Sequence, residues 1–178
     1  MKKNIIQFIQ RKFWKMKDKS MMTIIYRGLN NLSYNFRTLK ADEEETVLNL
    51  GINLNYGKTD CFITNNKSLR ILEIKNFCLN TIPEIKRREI ADYIIRINFN
   101  LRIGKFDLDF DNGELTYLIS YIYDDSLPQS EDIFTKNLSF TFHAMEEYIP
   151  GIMNILYANS KAKNEVFKLN KVVDPSWN

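Results

Sequence analysis

One histidine, two cysteines, four prolines and six glycines are all that 178 residues hold of these types. Two cysteines and one histidine fall short of the four Cys and His ligands that structural zinc sites ordinarily use, and no dedicated zinc site is expected. Cys61 and Cys78 sit in separate apolar runs. A disulfide framework brings more cysteines and a secretory segment, so reduced thiols are expected, inert ones in the absence of a C-x-x-C pattern. No motif places a nucleophile and an orienting group beside His143, and a structural histidine is expected there. Gly51, Gly57 and Gly104 do not build a phosphate-binding loop with a following Lys–Ser/Thr. Catalytic residues, metal ligands and cofactors are therefore not assigned. Long apolar runs are scarce as well. The basic and apolar start, Met1 to Gln10, resembles a signal peptide only until Gln7, Gln10, Arg11 and Lys12 interrupt it. No run approaches the roughly 20 apolar residues that cross a bilayer. A cytoplasmic location is expected.

What is abundant is aromatic and apolar: 12 Phe and 9 Tyr in a composition that is 44% hydrophobic. Such a chain buries a core without staples and is not of the disordered class. The net charge of +3 conceals an asymmetry. Residues 1–20 hold seven basic groups and Asp18, a net +6, which leaves −3 for the rest. Overall pI thus says little about nucleic acid; only the leader could support it. In residues 4–16, Ile5, Ile9 and Phe13 recur at helical spacing, with Lys12, Lys15 and Lys19 opposite. The expected organisation is a basic amphipathic helix over 1–19, an α+β domain over 20–158 and a loosely attached polar tail over 159–178, helical over part of its length.

Within the domain, Met22, Ile25, Leu29 and Leu32 predict a helix at 21–32, although Gly28 weakens it. Strands are expected at 47–53, 59–64 and 69–77, with turns near 55–57 and at Asn65–Asn66. Thr81 and Glu84 form a capping-box pattern for a helix running to about Asn98. Its packing stripe is Ile90, Ile94, Ile97 and Leu101, widened by Ala91 and Ile95. Asn112–Gly113 predicts a two-residue type I′ hairpin. That register pairs Phe110 with Leu115, Leu108 with Tyr117 and Phe106 with Ile119, leaving Asp107 and Asp109 wet. Ser130, followed by Glu131 and Asp132, caps a last long helix. Its packing face is Ile133, Phe134, Leu138, Thr141, Met145, Tyr148 and Ile149, and Pro150–Gly151 should kink or break it. The fold class is α+β: a five-stranded, mostly antiparallel sheet with helices packed on one face.

The run RINFNLRIGKFDLDFDNGELTYLISYIY joins an Arg/Asn helix end to Gly-x-Phe-x-x-Asp, an acidic-Gly-Glu turn and an aromatic strand. Arg96, Asn98, Leu101, Gly104, Phe106, Asp109, Gly113 and Tyr117 fall on this pattern, and Tyr148 and Pro150 on that of a late helix, EEYIPGIMNILY. On these residues the chain resembles the YbjN-like family of bacterial sensory transduction regulators, whose fold is similar to type III secretion chaperones. The match is best over 81–157 and looser over 21–80. It implies a chaperone-like scaffold that binds regulatory partners, and it implies no catalytic residues. The leader departs from the family pattern.

Asp107, Asp109 and Asp111 resemble the start of a calcium loop. Asn112 intervenes before the glycine, however, and the twelfth position is Leu118; alternating strand side chains explain the aspartates equally. The expected function is a non-catalytic protein-binding regulator or chaperone-like adaptor, able to self-associate as a homodimer. Its partner surface is placed on the sheet face left uncovered, at Thr116, Leu118, Ser120 and Ile122, with Asp107 and Asp109 beside them. One alternative is a membrane-surface regulator in which Ile5, Ile9 and Phe13 enter the interface while Lys12 and Lys15 meet anionic headgroups. The plainer reading packs that helix on its own domain or a dimer mate. An enzyme of unrecognised class is the remaining rival.

Overall fold

Alternating apolar positions give strands with one oily face, and such faces must be covered. The computed structural model describes residues 20–78, 81–127 and 129–172. Six strands form an antiparallel sheet: β1 (Phe36–Ala41), β2 (Glu45–Leu54), β3 (Gly57–Asn66), β4 (Ile71–Phe77), β5 (Lys105–Leu108) and β6 (Leu115–Ile122), in the order β1-β2-β3-β4-β6-β5. Four helices accompany them: α1 (Met21–Asn31), α2 (Glu84–Asn100), α3 (Glu131–Tyr157) and α4 (Ala162–Val172). The fold is α+β, and the sheet has one strand more than expected. The addition, β1, reads FRTLKA and is almost wholly exposed. It lacks an apolar alternation because it is an edge, and a register shift between Thr38 and Lys40 interrupts its pairing with β2, a device that discourages edge-to-edge association.

The core occupies one side of the sheet as two adjoining clusters. Under α1 and the first half of α3 lie Leu48, Leu50, Ile63, Leu72, Ile74, Phe134 and Leu138. Under α2, α4 and the second half of α3 lie Ile90, Tyr93, Ile97, Phe106, Tyr117, Met145 and Ile152. Gly28, which weakens α1 on propensity, lets α3 come close: a Cβ there would stand 2.7 Å from Phe134 Cδ1. Ser20 caps α1, its side chain accepting from the Thr23 amide.

One helix start differs from expectation. Thr81 is exposed and makes no cap; α2 begins after Pro83, with no side-chain cap bond. Arg87 ties that entry down instead, donating from Nε to the Ile82 carbonyl at 3.1 Å. Ser130 caps α3 as expected, and of the two expected courses at Pro150, continuation or a break, α3 takes the first and runs to Tyr157. Proline removes the N–H that would bond the Glu146 carbonyl, and Tyr56 Oη donates to that carbonyl from the β2–β3 turn at 3.3 Å. The Glu146 carboxylate accepts from both Asn55 nitrogens, at 2.7 and 2.6 Å. Gly151 then lets the Tyr93 ring lie against the helix. Ile133, assigned to the packing face, is exposed, and so is Ile95 of α2. The β3–β4 turn lies at 67–70, after Asn65–Asn66, which belong to β3.

The polar stretch expected to hang loosely carries α4, which docks through buried Ala162 and Glu165. Burial alone would raise the Glu165 carboxyl. Lys168, Ser160 and Asn154 all donate to it and together hold it below the usual carboxylate range. A lowered carboxyl stabilises the fold above its unfolded-state pKa, and that contribution fades as pH falls through the folded value. Glu165→Gln is expected to cost about 1–3 kcal/mol by stranding these donors. Protection factors of α4 amides should fall on acidification in the wild type, and be low at every pH in the variant. Residues 1–19 and 173–178 lie outside the described residues.

Candidate functional site

The positions that alternate with the core set project to the opposite side of the sheet. Register gathers them into rows: Arg37–Asn49–Phe62–Lys75–Leu118–Lys105, then Val47–Thr64–Glu73–Ser120, and Phe77–Thr116–Asp107. A further row joins Glu45, Asn66, Ile71 and Ile122. None of these side chains belongs to either core cluster. Among the described residues no helix lies over them.

Val47, Phe62, Ile71, Phe77 and Leu118 are half-buried, and Ile122 is 79% exposed. Phe62 and Phe77 meet edge to face, centroids 5.2 Å apart, at the middle of the sheet. The polar groups satisfy one another around this apolar centre. Arg37 Nη2 donates to Asn49 Oδ1 at 2.9 Å, and Asn49 Nδ2 to Asp60 Oδ1 at 3.0 Å. Lys105 and Asp107 pair at 2.8 Å. The exposed Lys105–Asp107 pair contributes little to stability, so a partner's charges can replace it at small cost, whereas Asn49 is itself buried.

Of the residues singled out in the sequence, Leu118, Ser120, Ile122 and Asp107 share this face. Thr116 shares the row but is buried. Asp109 does not belong to the face: its carboxylate accepts from the amides of Asp111 and Asn112 and from Asn112 Nδ2, and it builds the hairpin turn. Asp109 thus has a structural role in the turn. Ile5, Ile9, Lys12, Phe13 and Lys15 lie outside the described residues. His143 stands on the outside of α3, 76% exposed and 3.8 Å from Glu147. Cys61 is buried on the helix side and Cys78 partly so; burial pushes both thiols up, away from the reactive thiolate.

Phe62, Phe77 and Ile71 are the contributors that sequence reasoning missed. Their signal was present in the alternation of β3 and β4, where Phe62 is out of phase with Cys61 and Ile63. Which phase the helices cover is decided by tertiary packing and cannot be read from a strand whose two faces are both apolar. No protein-family model matches this chain, and no curated protein matches its sequence.

Proposed function

We propose that this chain is a non-catalytic, cytoplasmic protein-binding regulator or chaperone-like adaptor, of YbjN-like or type III secretion chaperone-like kind, whose client lies on the uncovered sheet face. The supporting observation is the apolar patch across four adjacent strands, Val47, Phe62, Phe77 and Leu118, beside which Arg37 and Asp60 bond Asn49 and Lys105 pairs with Asp107. Contiguous exposed apolar surface with a polar rim is the common anatomy of a protein-binding surface. Strands presenting side chains on a flat face accept an extended or helical client segment through pockets between rows.

The test is a pair of variants, Phe62→Asp and Leu118→Asp, each half-exposed in the wild type. Affinity capture from native lysate, with mass spectrometry, is compared with wild type and with His143→Ala on the helix side. Partners shared by wild type and His143→Ala should drop at least tenfold with either sheet variant, the effect of about 1.4 kcal/mol. Retention of the same partners by both sheet variants, or turnover of a small molecule by the purified chain, sinks the reading.

A further inference from the structure

The charges of the open sheet face are sorted by row. The row Arg37–Asn49–Phe62–Lys75–Leu118–Lys105 holds three bases and no acid. The next row, toward the β2–β3 turn, holds Phe77, Thr116 and Asp107, with Asp60 in phase on β3: two acids and no base. Beyond it Lys58 stands opposite Asn53. A Cβ on Gly51 would be 3.0 Å from Lys58 Cε, so this lysine lies across the face. On the far side of the basic row, Glu73 sits between Thr64 and Ser120, with Lys40 at the β1 end of the same row. Among the described residues Lys58, Glu73 and Lys75 have no ion-pair partner.

Sign that changes from row to row lets a surface match itself. Let a second copy be turned by 180° about an axis between the two faces, running across the strands between the basic and the acidic row. Each strand then lies over its own equivalent and the rows exchange. Lys105 meets Asp107 of the second copy, trading an exposed intrachain pair for the same pair between chains. Lys75 comes over Phe77 of the second copy, with its Asp60 one strand away, and Glu73 comes beside its Lys58. Phe62 and Phe77 come beside Phe77 and Phe62 of the other copy, so the two ring pairs, each edge to face at 5.2 Å, join in one apolar centre. Every contact occurs twice by symmetry. Arg37, Lys40 and Glu45, toward the β1 edge, fall over no charged position. Turning the copy about the strand direction instead would lay base on base and acid on acid.

Shape agrees with this match. Six strands, about 4.8 Å apart, and four rows, about 6.6 Å apart, make a face of roughly 24 by 20 Å. A single helix, about 10 Å across, leaves most of that width open. A sheet of the same twist covers it in aligned packing, and the footprint is on the scale of the several hundred Å² that each partner gives to a specific interface. We infer that two copies of this chain pair through their open sheet faces, each covering the other's aromatic centre until a client displaces it. The inference rests on the reading of this face as a binding surface and names its occupant when no client is present.

Sedimentation equilibrium of the full purified chain reads the pairing. Wild type should populate a dimer, and Phe62→Asp, which puts a charge into the shared apolar centre, should be monomeric. Lys105→Asp sets acid against acid across the interface, and Asp107→Lys sets base against base. Each should weaken self-association about tenfold, since each contact is lost twice. An equimolar mixture of these two variants should associate as tightly as wild type, because the acids of one then face the bases of the other. That recovery cannot come from the intrachain pair, which is broken in both. Phe99→Asp, on the outer side of α2 and 89% exposed in the wild type, should leave the dimer intact. A wild-type chain that stays monomeric overturns the inference. So does a dimer that survives Phe62→Asp or dissociates with Phe99→Asp, or a mixture that associates no better than its parts. Partner capture from lysate is a separate measurement. It can fail while the dimer stands and succeed with a monomer, so the client reading and this one fall independently.

Discussion

Gly113→Ala is expected to destabilise this protein by about 3 kcal/mol or more, through the sum of a left-handed backbone penalty, a lost buried hydrogen bond and a backbone clash. Gly113 is buried at the hairpin turn with φ +79°. A Cβ there would stand 2.2 Å from the Ile82 carbonyl oxygen and 3.0 Å from two nitrogens of Arg87. The carbonyl cannot swing aside. It accepts from Arg87 Nε, while the Ile82 amide donates to the Gly113 carbonyl at 2.8 Å. Arg87 Nη1 also donates to the Phe110 carbonyl at 2.6 Å, closing the joint between the turn and the entry to α2. Loosening it frees β5 and the start of α2 together. Asn tolerates positive φ but brings the same Cβ, so Gly113→Asn should be no rescue. Gly51→Ala is the control: its Cβ would meet only the flexible end of Lys58, and a neutral change or a gain of about 0.5 kcal/mol is expected. Urea unfolding of the three variants decides the matter. A loss under about 1 kcal/mol at Gly113 would mean that the turn and α2 are not joined as described.

The same hairpin shows how far the sequence could be read. Asn112–Gly113 marked a tight bend, and residues 105–122 do form neighbouring antiparallel strands. The register, though, is Phe106 with Tyr117 and Leu108 with Leu115, two residues from the expected pairing. Asp109 is the reason: its carboxylate gathers the amides of 111 and 112, and its own amide bonds the Glu114 carbonyl, so the loop is longer than two residues. An even shift leaves residues 105–108 and their partners on their expected sides, and Phe106 and Tyr117 are buried as the alternation required. Asp109 and Phe110 are lost from the ladder to the turn, with Phe110 exposed there. Alternation is a local property and was legible. Turn length depends on a side chain capping its own loop, which competing turn residues leave open. Pro150 is the parallel case for helices: its cost was legible, but the Tyr56 hydroxyl that offsets it comes from 90 residues away. The outer face of α2 was the least legible. Ile95 stands next to Ile94 and two residues before Ile97, and nothing in the sequence says that the chain stops packing before reaching it. The candidate sheet face was half legible, since β6 supplied Leu118, Ser120 and Ile122, while its aromatic centre depended on which phase of β3 and β4 the helices would cover.

Asn76→Leu is expected to raise stability by about 1–3 kcal/mol, the penalty that a buried unpaired amide carries. Asn76 lies on β4, fully buried, paired in register with Cys61 and Tyr117. Among the described residues neither its Oδ1 nor its Nδ2 meets a hydrogen-bonding group. Leucine has the same number of side-chain heavy atoms and the same branch point, so it fills the site without a cavity, and its larger methyls cost at most a small repacking. Asn76→Asp puts a charge in the same place and should destabilise by more than Asn76→Leu gains. The neighbouring residues of β4 give the pair of variants a second readout. Lys75 and Phe77 point to the uncovered face, so Asn76 stands directly behind the patch proposed to take a client. If the orphan amide is only a local imperfection, Asn76→Leu raises the urea midpoint and leaves client capture unchanged. If instead its cost keeps β4 able to adjust under a client, the stabilised variant should capture less while Phe62 and Leu118 remain in place. A fall in the midpoint would show that Asn76 does have a partner in solution, and the buried amide would then count as a hydrogen-bonded part of the core.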